Sequence, residues 1–232
     1  LEIEPDHASA VEALERLYSA QQMWVDLDEL YTQQSERSEP ARRRELLLKQ
    51  AKRRTHELED AAGAFHILQQ LVLQDSEDHD AVAALVKLAE VMAERDADAP
   101  LRLDIAQELE RLYREREDYP RLIGVLRTKL GFIDEVFERI ALLDELAALY
   151  LEHVGDGPSA FDATREAVVL MPQEVERRER LELLAERLER FDDVVVAYAQ
   201  AAPRAERCSS DRIVPSTRTR SCSRPIRPAG SP

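Results

Sequence analysis

The feature that most constrains this chain is the internal repetition of helical segments. The stretch LERLYSAQQMWVDLDELY, which begins at Leu14, recurs as LERLYREREDYPRLIGVL from Leu109 and more weakly as LELLAERLERFDDVVVAY from Leu181. Within each copy, apolar residues recur three and four positions apart, which is the period of an amphipathic helix. Repeated helical segments of this length predict a solenoid of stacked hairpins. An aromatic residue also occupies the same place in each copy: Trp24, Tyr119 and Phe191.

A second unit recurs 96 residues further along the chain without a gap. Ala51 corresponds to Ala147, and Asp60 corresponds to Asp156. Together the two units predict pairs of hairpins, each about 36 residues long, that are used at least twice. The segment 79–95 falls between the two copies, and we interpret it as an additional or degenerate helix.

Apolar periodicity and proline positions together predict an all-α fold. Proline opens a helix but damages its interior, so the prolines before residue 202 mark helix boundaries. Alternating β-branched runs and hairpin dipeptides, which would indicate strands, are hard to find. The predicted helices are 7–20, 23–36, 41–57, 60–74, 79–95, 101–116, 119–130, 134–153, 157–170, 174–189 and 191–201.

Charge divides the chain into two parts. The 232 residues carry a net charge of −15, from 32 basic and 47 acidic side chains. Residues 204–232 contain seven Arg against one Glu and one Asp, both cysteines and no Leu. Such a segment cannot bury enough apolar surface to offset the entropy of ordering it. We therefore predict a helical array over 1–203, as a fragment of a longer array, and a disordered tail over 204–232.

Two explanations of this tail stay open. It is either a natural basic arm that folds onto the acidic array or contacts a partner, or a segment in which the reading frame of the array was lost. The array itself, at −20, is a poor candidate for binding nucleic acid or an anionic membrane. No apolar run approaches the length of a membrane span, and no signal peptide is visible, so we expect a cytoplasmic protein.

Motifs for catalysis, cofactor binding or metal binding are missing from the sequence. Its glycines are scattered rather than grouped in a phosphate loop, and no nucleophile elbow occurs. No two histidines have the helical spacing of a metal site. The best metal candidate is the acidic segment DSEDHD, Asp75 to Asp80, which lacks the ligand spacing of a calcium loop. We interpret it as a solvated turn with acids at a helix start, and predict no catalytic, cofactor or metal residue.

One hairpin resembles the tetratricopeptide repeat (TPR) family. In DGPSAFDATREAVVLMPQE, Ala160, Thr164, Ala167 and Pro172 occupy the family's small, larger, small and closing proline positions. The preceding helix supplies Leu143, Leu146, Ala147 and Tyr150 at the spacing of the family's first helix. The resemblance implies a right-handed superhelix of stacked antiparallel hairpins, in a family whose members usually bind proteins or peptides and seldom catalyse reactions. The chain contains no Asn, which argues against the subclass that clamps a peptide's terminal carboxylate.

Partner-binding residues are harder to predict. Arg42, Lys49 and Arg53 share one helix face and could receive an acidic peptide or a phosphate group. The alternative, which we favour, is a solvated face balanced by nearby glutamates. The repeated aromatics at 24, 119 and 191 are predicted to be core rather than ligand-stacking side chains.

The sequence is compatible with three functions. The leading hypothesis is a non-catalytic scaffold that binds a protein or peptide. The alternative is an oligomerisation or intramolecular regulatory segment of a larger protein, with self-association through uncapped array ends. A helical enzyme is the least favoured, because no pair of candidate catalytic residues was found.

Overall fold

The computed structural model describes residues 8–95 and 99–211, and within them every regular element is helical. The described helices are α1 Ala8–Ala20, α2 Trp24–Arg37, α3 Pro40–His56, α4 Ala61–Gln74, α5 His79–Arg95, α6 Ala99–Glu115, α7 Tyr119–Leu130, α8 Val136–Leu149, α9 Gly157–Leu170, α10 Val175–Leu188 and α11 Phe191–Asp211. The predicted all-α fold is confirmed, and each predicted helix has its counterpart.

Two helix ends differ from the prediction. The segment predicted as one helix over 134–153 is α8 followed by a π-helical turn, Tyr150–Val154. The helix predicted to end near residue 201 continues as α11 through Pro203 to Asp211. Proline removes one hydrogen bond from a helix interior, yet α11 has helical residues on both sides of Pro203. The start of the predicted tail is thus helical, and its remainder, 212–232, lies outside the described residues.

The chain divides into two compact units, 1–163 and 164–232. In the first unit each helix from α1 to α8 packs against the next one along the chain. In addition, α3 contacts α5 and α4 contacts α6. Antiparallel neighbours with such contacts form stacked hairpins, as the resemblance to the TPR family implies. In the second unit α10 packs against α11.

Three hairpins turn through one backbone motif. Gln22, Glu117 and Glu189 have φ angles of 56°, 54° and 57°, in the left-handed region. The residue after each donates its N–H to the carbonyl five positions earlier, at 2.9–3.0 Å. This is the Schellman arrangement, which satisfies the last carbonyls of the first helix. These are the three hairpins with the repeated aromatic, and that aromatic is the first residue of α2, α7 and α11.

The second repeated unit turns in a wider motif. Glu59 and Gly155 are left-handed, with φ of 55° and 74°. Here the next residue, Asp60 or Asp156, donates its N–H to a carbonyl six positions earlier, at 2.9 Å in both turns. Each aspartate then caps the following helix by accepting a backbone N–H three residues on. The 96-residue repetition in the sequence is therefore a repetition of backbone structure.

The hairpins bury the periodic positions that the sequence marks as core. Leu27, Leu122 and Val194 are equivalent residues of the three aromatic hairpins, and all are buried. Ala160, Thr164 and Ala167, which carry the TPR resemblance, are at most 1% exposed. Small side chains at these places let paired helices approach closely.

Candidate functional site

An apolar groove of about 280 Å³ lies between α5, α6 and α7. Its lining includes Ile105, Ala106 and Leu109 of α6, all of which are buried. The other lining residues are Val86, Ala89, Ala93, Arg102, Tyr113, Arg121, Gly124, Val125, Thr128 and Phe132. Sites for small molecules usually measure about 300–1,000 Å³, so this groove lies at the lower end of that range.

Small residues open this groove. Ala89 and Ala93 lie one turn apart on α5, and Gly124 faces them from α7. A Cβ atom added at Gly124 would have no heavy atom within 4 Å, which shows that the space beside it is open. The groove is also where the repeat is interrupted, because α5 is the helix that has no counterpart in the two repeated units.

Two arginines stand at the ends of the groove, each over an aromatic ring. The Arg102 guanidinium lies 4.6 Å from the centre of the Phe132 ring. The Arg121 guanidinium lies 5.9 Å from the centre of Tyr113, and its side chain is 66% exposed. Asp118 is 3.3 Å from Arg121, one turn earlier in the chain. The groove lining itself contains these two arginines and no carboxylate.

A smaller cavity of about 260 Å³ lies on the other side of α5, against α3 and α4. Its lining combines Lys52 and Lys87 with Asp80. Mixed charge gives this cavity no preference for one sign of partner, in contrast to the groove between α5 and α7.

The acidic segment before α5 anchors that helix. Arg44 of α3 binds Asp78 through two hydrogen bonds of 2.5 and 2.6 Å and also contacts Asp80 at 2.8 Å. Asp78 caps α5 by accepting the N–H of Ala81, and its side chain is only 3% exposed. Hydrogen bonds from Arg44 hold the pKa of Asp78 below its usual range. The prediction of a solvated turn is therefore wrong for Asp78.

The other acids of this segment do not converge on a metal. Arg116, which follows α6, donates to the carbonyl of Ser76. Among the described side chains, no three His, Cys, Asp or Glu groups come together in a way that could hold a metal ion.

The predicted basic residues of α3 already have partners within the first unit. Arg42 pairs with Glu45 at 2.6 Å. Lys49 reaches across to Glu15 of α1 at 3.1 Å. Arg53 pairs with Glu57, the residue that follows α3, and lies 5.2 Å above the Trp24 ring of α2. Their use by a partner stays a prediction, and any partner would compete with these contacts.

The prediction of a core position for the repeated aromatics is wrong for Phe191, which is 59% exposed. Trp24 and Tyr119 are half-buried. Tyr119 stacks on His153, with ring centres 3.6 Å apart and planes inclined by 15°. The first residue of a helix lies at the hairpin's end, where packing against a neighbour is incomplete. The Trp24 ring packs against the buried cluster of Leu27, Leu30, Tyr31 and Leu46, and Arg53 lies over it.

A tyrosine recurs at the end of the first and third aromatic copies, and the structure gives it a role. Tyr31 donates to Glu15 at 2.8 Å, and Tyr198 donates to Glu182 at 2.6 Å, so each joins the two helices of its hairpin. Burial and the glutamate beside it raise the pKa of Tyr198 to about 12. The same causes raise the pKa of Tyr31 well above its usual range. In the second copy Leu126 replaces the tyrosine.

Within the described residues, none of the helices is both long and apolar enough to cross a lipid bilayer.

Comparisons with known proteins found similar solved structures but no matching sequence. No family model and no curated protein sequence matches the chain. Among solved structures, the chain is similar to a putative kinesin light chain of Podosopora anserina with nearly identical TPR-like repeats. The sequence identity is 18% and the TM-score is 0.40, and the match covers 90% of this chain and 99% of that chain. The chain is also similar to MamA, with 16% sequence identity and a TM-score of 0.30, and that match covers 68% of this chain and 95% of MamA. Both scores lie below 0.5, so the fold assignment rests on the hairpin geometry described above.

Proposed function

We propose that this chain is a non-catalytic helical-repeat scaffold that binds a protein or peptide partner. The observation that carries the proposal is the open apolar groove between α5, α6 and α7. An apolar concavity with a few polar groups at its rim is the usual form of a binding site. Stacked hairpins hold such a groove on rigid elements, and recognition of a helix or peptide in a groove is common.

Absence of catalysis, a cytoplasmic address and exclusion of nucleic acid belong to this proposal as predictions. The first derives from the missing catalytic motifs and the last from the acidic composition of the array.

Affinity capture followed by reconstitution tests the scaffold function. The purified chain is immobilised, retained proteins are identified from an extract of the source organism, and each is then purified and titrated against the chain. We expect saturable binding with a fixed stoichiometry. Failure of every purified candidate to bind, together with a measured substrate turnover, would contradict the proposal.

A second candidate function is self-association or packing against another part of a larger protein. It is favoured by exposed apolar side chains on α10 and α11, namely Val175, Leu183, Phe191, Val195 and Val196, which are 48–67% exposed. Exposed apolar patches mark interaction surfaces in soluble proteins. Sedimentation over a hundredfold concentration range separates the possibilities, because a monomer at all concentrations would count against self-association. A Val195→Glu variant should shift a wild-type dimer toward monomer, whereas a charge change at the exposed Glu186 should not.

A further inference from the structure

The second helix of each aromatic hairpin carries an equivalent stripe of side chains. The stripe consists of the repeated aromatic residue and the residues four and seven positions after it, which lie on one face of a helix. We call it the aromatic stripe, and its members are Trp24, Asp28 and Tyr31 in α2, Tyr119, Ile123 and Leu126 in α7, and Phe191, Val195 and Tyr198 in α11.

In the first copy, the next helix along the chain covers the aromatic stripe. Arg53 of α3 lies 5.2 Å above the centre of the Trp24 ring. Arg54 of α3 binds Asp28 through two hydrogen bonds of 2.6 and 2.8 Å. Tyr31 is 2% exposed and shares a buried cluster with a leucine of α3. The aromatic stripe of α2 is therefore the interface with the following hairpin.

The second copy has the same interface with different side chains. Helix α7 packs against α8 and against the π-helical turn that follows α8. His153 of that turn stacks on Tyr119, and Ile123 is only 6% exposed. Tyr150, which occupies the place of Arg54 in the 96-residue repetition, is also buried. Buried uncharged side chains thus replace the ion pair of the first copy.

In the third copy the aromatic stripe is open. Phe191 is 59% exposed and Val195 is 67% exposed. Tyr198 is half-buried, whereas Tyr31 and Leu126, its equivalents, are buried. Within the described residues, no helix follows α11 along the chain. A face that a helix covers in two copies is therefore accessible in the third.

We propose that the aromatic stripe of α11 binds an amphipathic helix of a partner protein, which lies on α11 as α8 and its π-helical turn lie on α7. The partner residue opposite Val195 is apolar, because Val195 matches Ile123 and not the charged Asp28 of the first copy. A partner Arg or His lies over Phe191, since both covered rings in this chain have such a side chain above them. This inference rests on the binding function proposed above and gives that function a surface separate from the groove.

A peptide with the sequence of residues 135–154 of this chain is the probe, because that segment contains α8 and the π-helical turn. It is labelled with fluorescein and titrated with the full chain in fluorescence anisotropy. A control peptide has Glu in place of Tyr150 and His153. We expect saturable binding of the probe and at least about tenfold weaker binding of the control peptide, since its carboxylates would enter an apolar contact unpaired. No binding of the probe, or equal binding of the two peptides, would overturn the proposal.

Two neighbouring valines of α11 place that binding on the aromatic stripe. Val195→Glu should weaken binding of the probe at least about tenfold, because a carboxylate replaces an apolar side chain inside the contact. Val196→Glu is the matched control: Val196 is also exposed, but its equivalent in α7, Gly124, lies beside open space. A surface change of this kind should alter binding by less than about twofold. Equal binding of the probe by Val195→Glu and the wild type, or an equal loss in both variants, would overturn the proposal, and circular dichroism confirms that both variants fold.

Two further measurements separate this inference from the other functions. Sedimentation at the concentrations of the titration tests a second copy of the chain as the occupant. A wild-type dimer that Val195→Glu converts to monomer, together with no binding of the probe, would overturn the partner helix in favour of the second copy. A native partner found by affinity capture is then titrated against both variants. Loss of binding in Val195→Glu alone supports the aromatic stripe, whereas equal binding to the wild type and Val195→Glu leaves the scaffold function standing and overturns the stripe as the site.

Discussion

The left-handed residue in each hairpin turn makes a direct test of the fold, and the sharpest pair of variants lies in α10 and its turn. Glu189 has φ of 57°, whereas Glu186, three residues earlier, lies inside α10. Both side chains are exposed. The same substitution, Glu to Gly, should therefore have opposite effects on stability at the two positions.

The magnitudes follow from the backbone. A left-handed conformation destabilises a residue with a Cβ by about 1–2 kcal/mol, and glycine relieves this. Glycine's greater freedom in the unfolded chain offsets about 0.5–1 kcal/mol of the gain. We expect Glu189→Gly to raise the free energy of unfolding by about 0.5–1 kcal/mol. Within the helix, Glu186→Gly should lower it by about 1 kcal/mol, because only the entropic and propensity terms act there.

Urea unfolding followed by circular dichroism measures both variants. Arrays of repeats can unfold in parts, so amide hydrogen exchange of α10 and α11 supplies the local free energy of opening. Gly155→Ala in the wider turn is the reverse test. The φ of Gly155 is 74°, and an added Cβ would meet no atom within 4 Å. We therefore expect the free energy of unfolding to fall by about 1 kcal/mol, because of the backbone conformation alone. Equal destabilisation by Glu189→Gly and Glu186→Gly would refute the left-handed turn.

Three further predictions concern single side chains. Gly124→Ala should stabilise the fold by about 1 kcal/mol, because Gly124 lies in an exposed helix interior. Gly63→Ala should destabilise the fold, because the added Cβ would collide with the Asp60 side chain that caps α4, and thermal unfolding distinguishes the two variants. The raised pKa of Tyr198 means that its contribution to the free energy of unfolding is present below about pH 10 and is lost as the pH rises to about 12. In alkaline unfolding experiments, Tyr198→Phe should therefore not lose stability over that pH range. Asp78 has a lowered pKa, so its contribution is present above about pH 4 and is lost in more acidic solution. Asp78→Asn, which keeps a capping oxygen, should flatten this acid dependence in urea titrations, and an unchanged acid profile would contradict the Arg44 pairing.

Sequence reasoning placed the helices well because periodic apolar residues and prolines act locally. The repeated segments even showed which hairpins share a turn, since each repeated unit has its own backbone motif. Predictions failed where the outcome depends on which helix lies next to a residue. Phe191 and Trp24 occupy one repeat position, but only Trp24 has a basic side chain of α3 over its ring. Asp78 looked solvated because Arg44, its partner, is 34 residues away in the chain.

The candidate groove escaped prediction for a different reason. Its opening depends on Ala89, Ala93 and Gly124 facing one space from two helices, and small residues are equally common where helices pack tightly. The one available signal was the segment 79–95, which interrupts the repeated units.

That interruption has a physical consequence for where a partner can bind. In a regular array, each hairpin covers the apolar face of the one before it, so the apolar residues at the repeated positions are buried between hairpins. An unmatched helix cannot reproduce those contacts on both sides. Here α5 is fixed at its start by Arg44 and Asp78, and it forms cavities with α3 on one side and with α6 and α7 on the other. Removing α5 from the array should therefore abolish the groove, and a partner that binds in the groove should then lose its site while the other hairpins keep their packing.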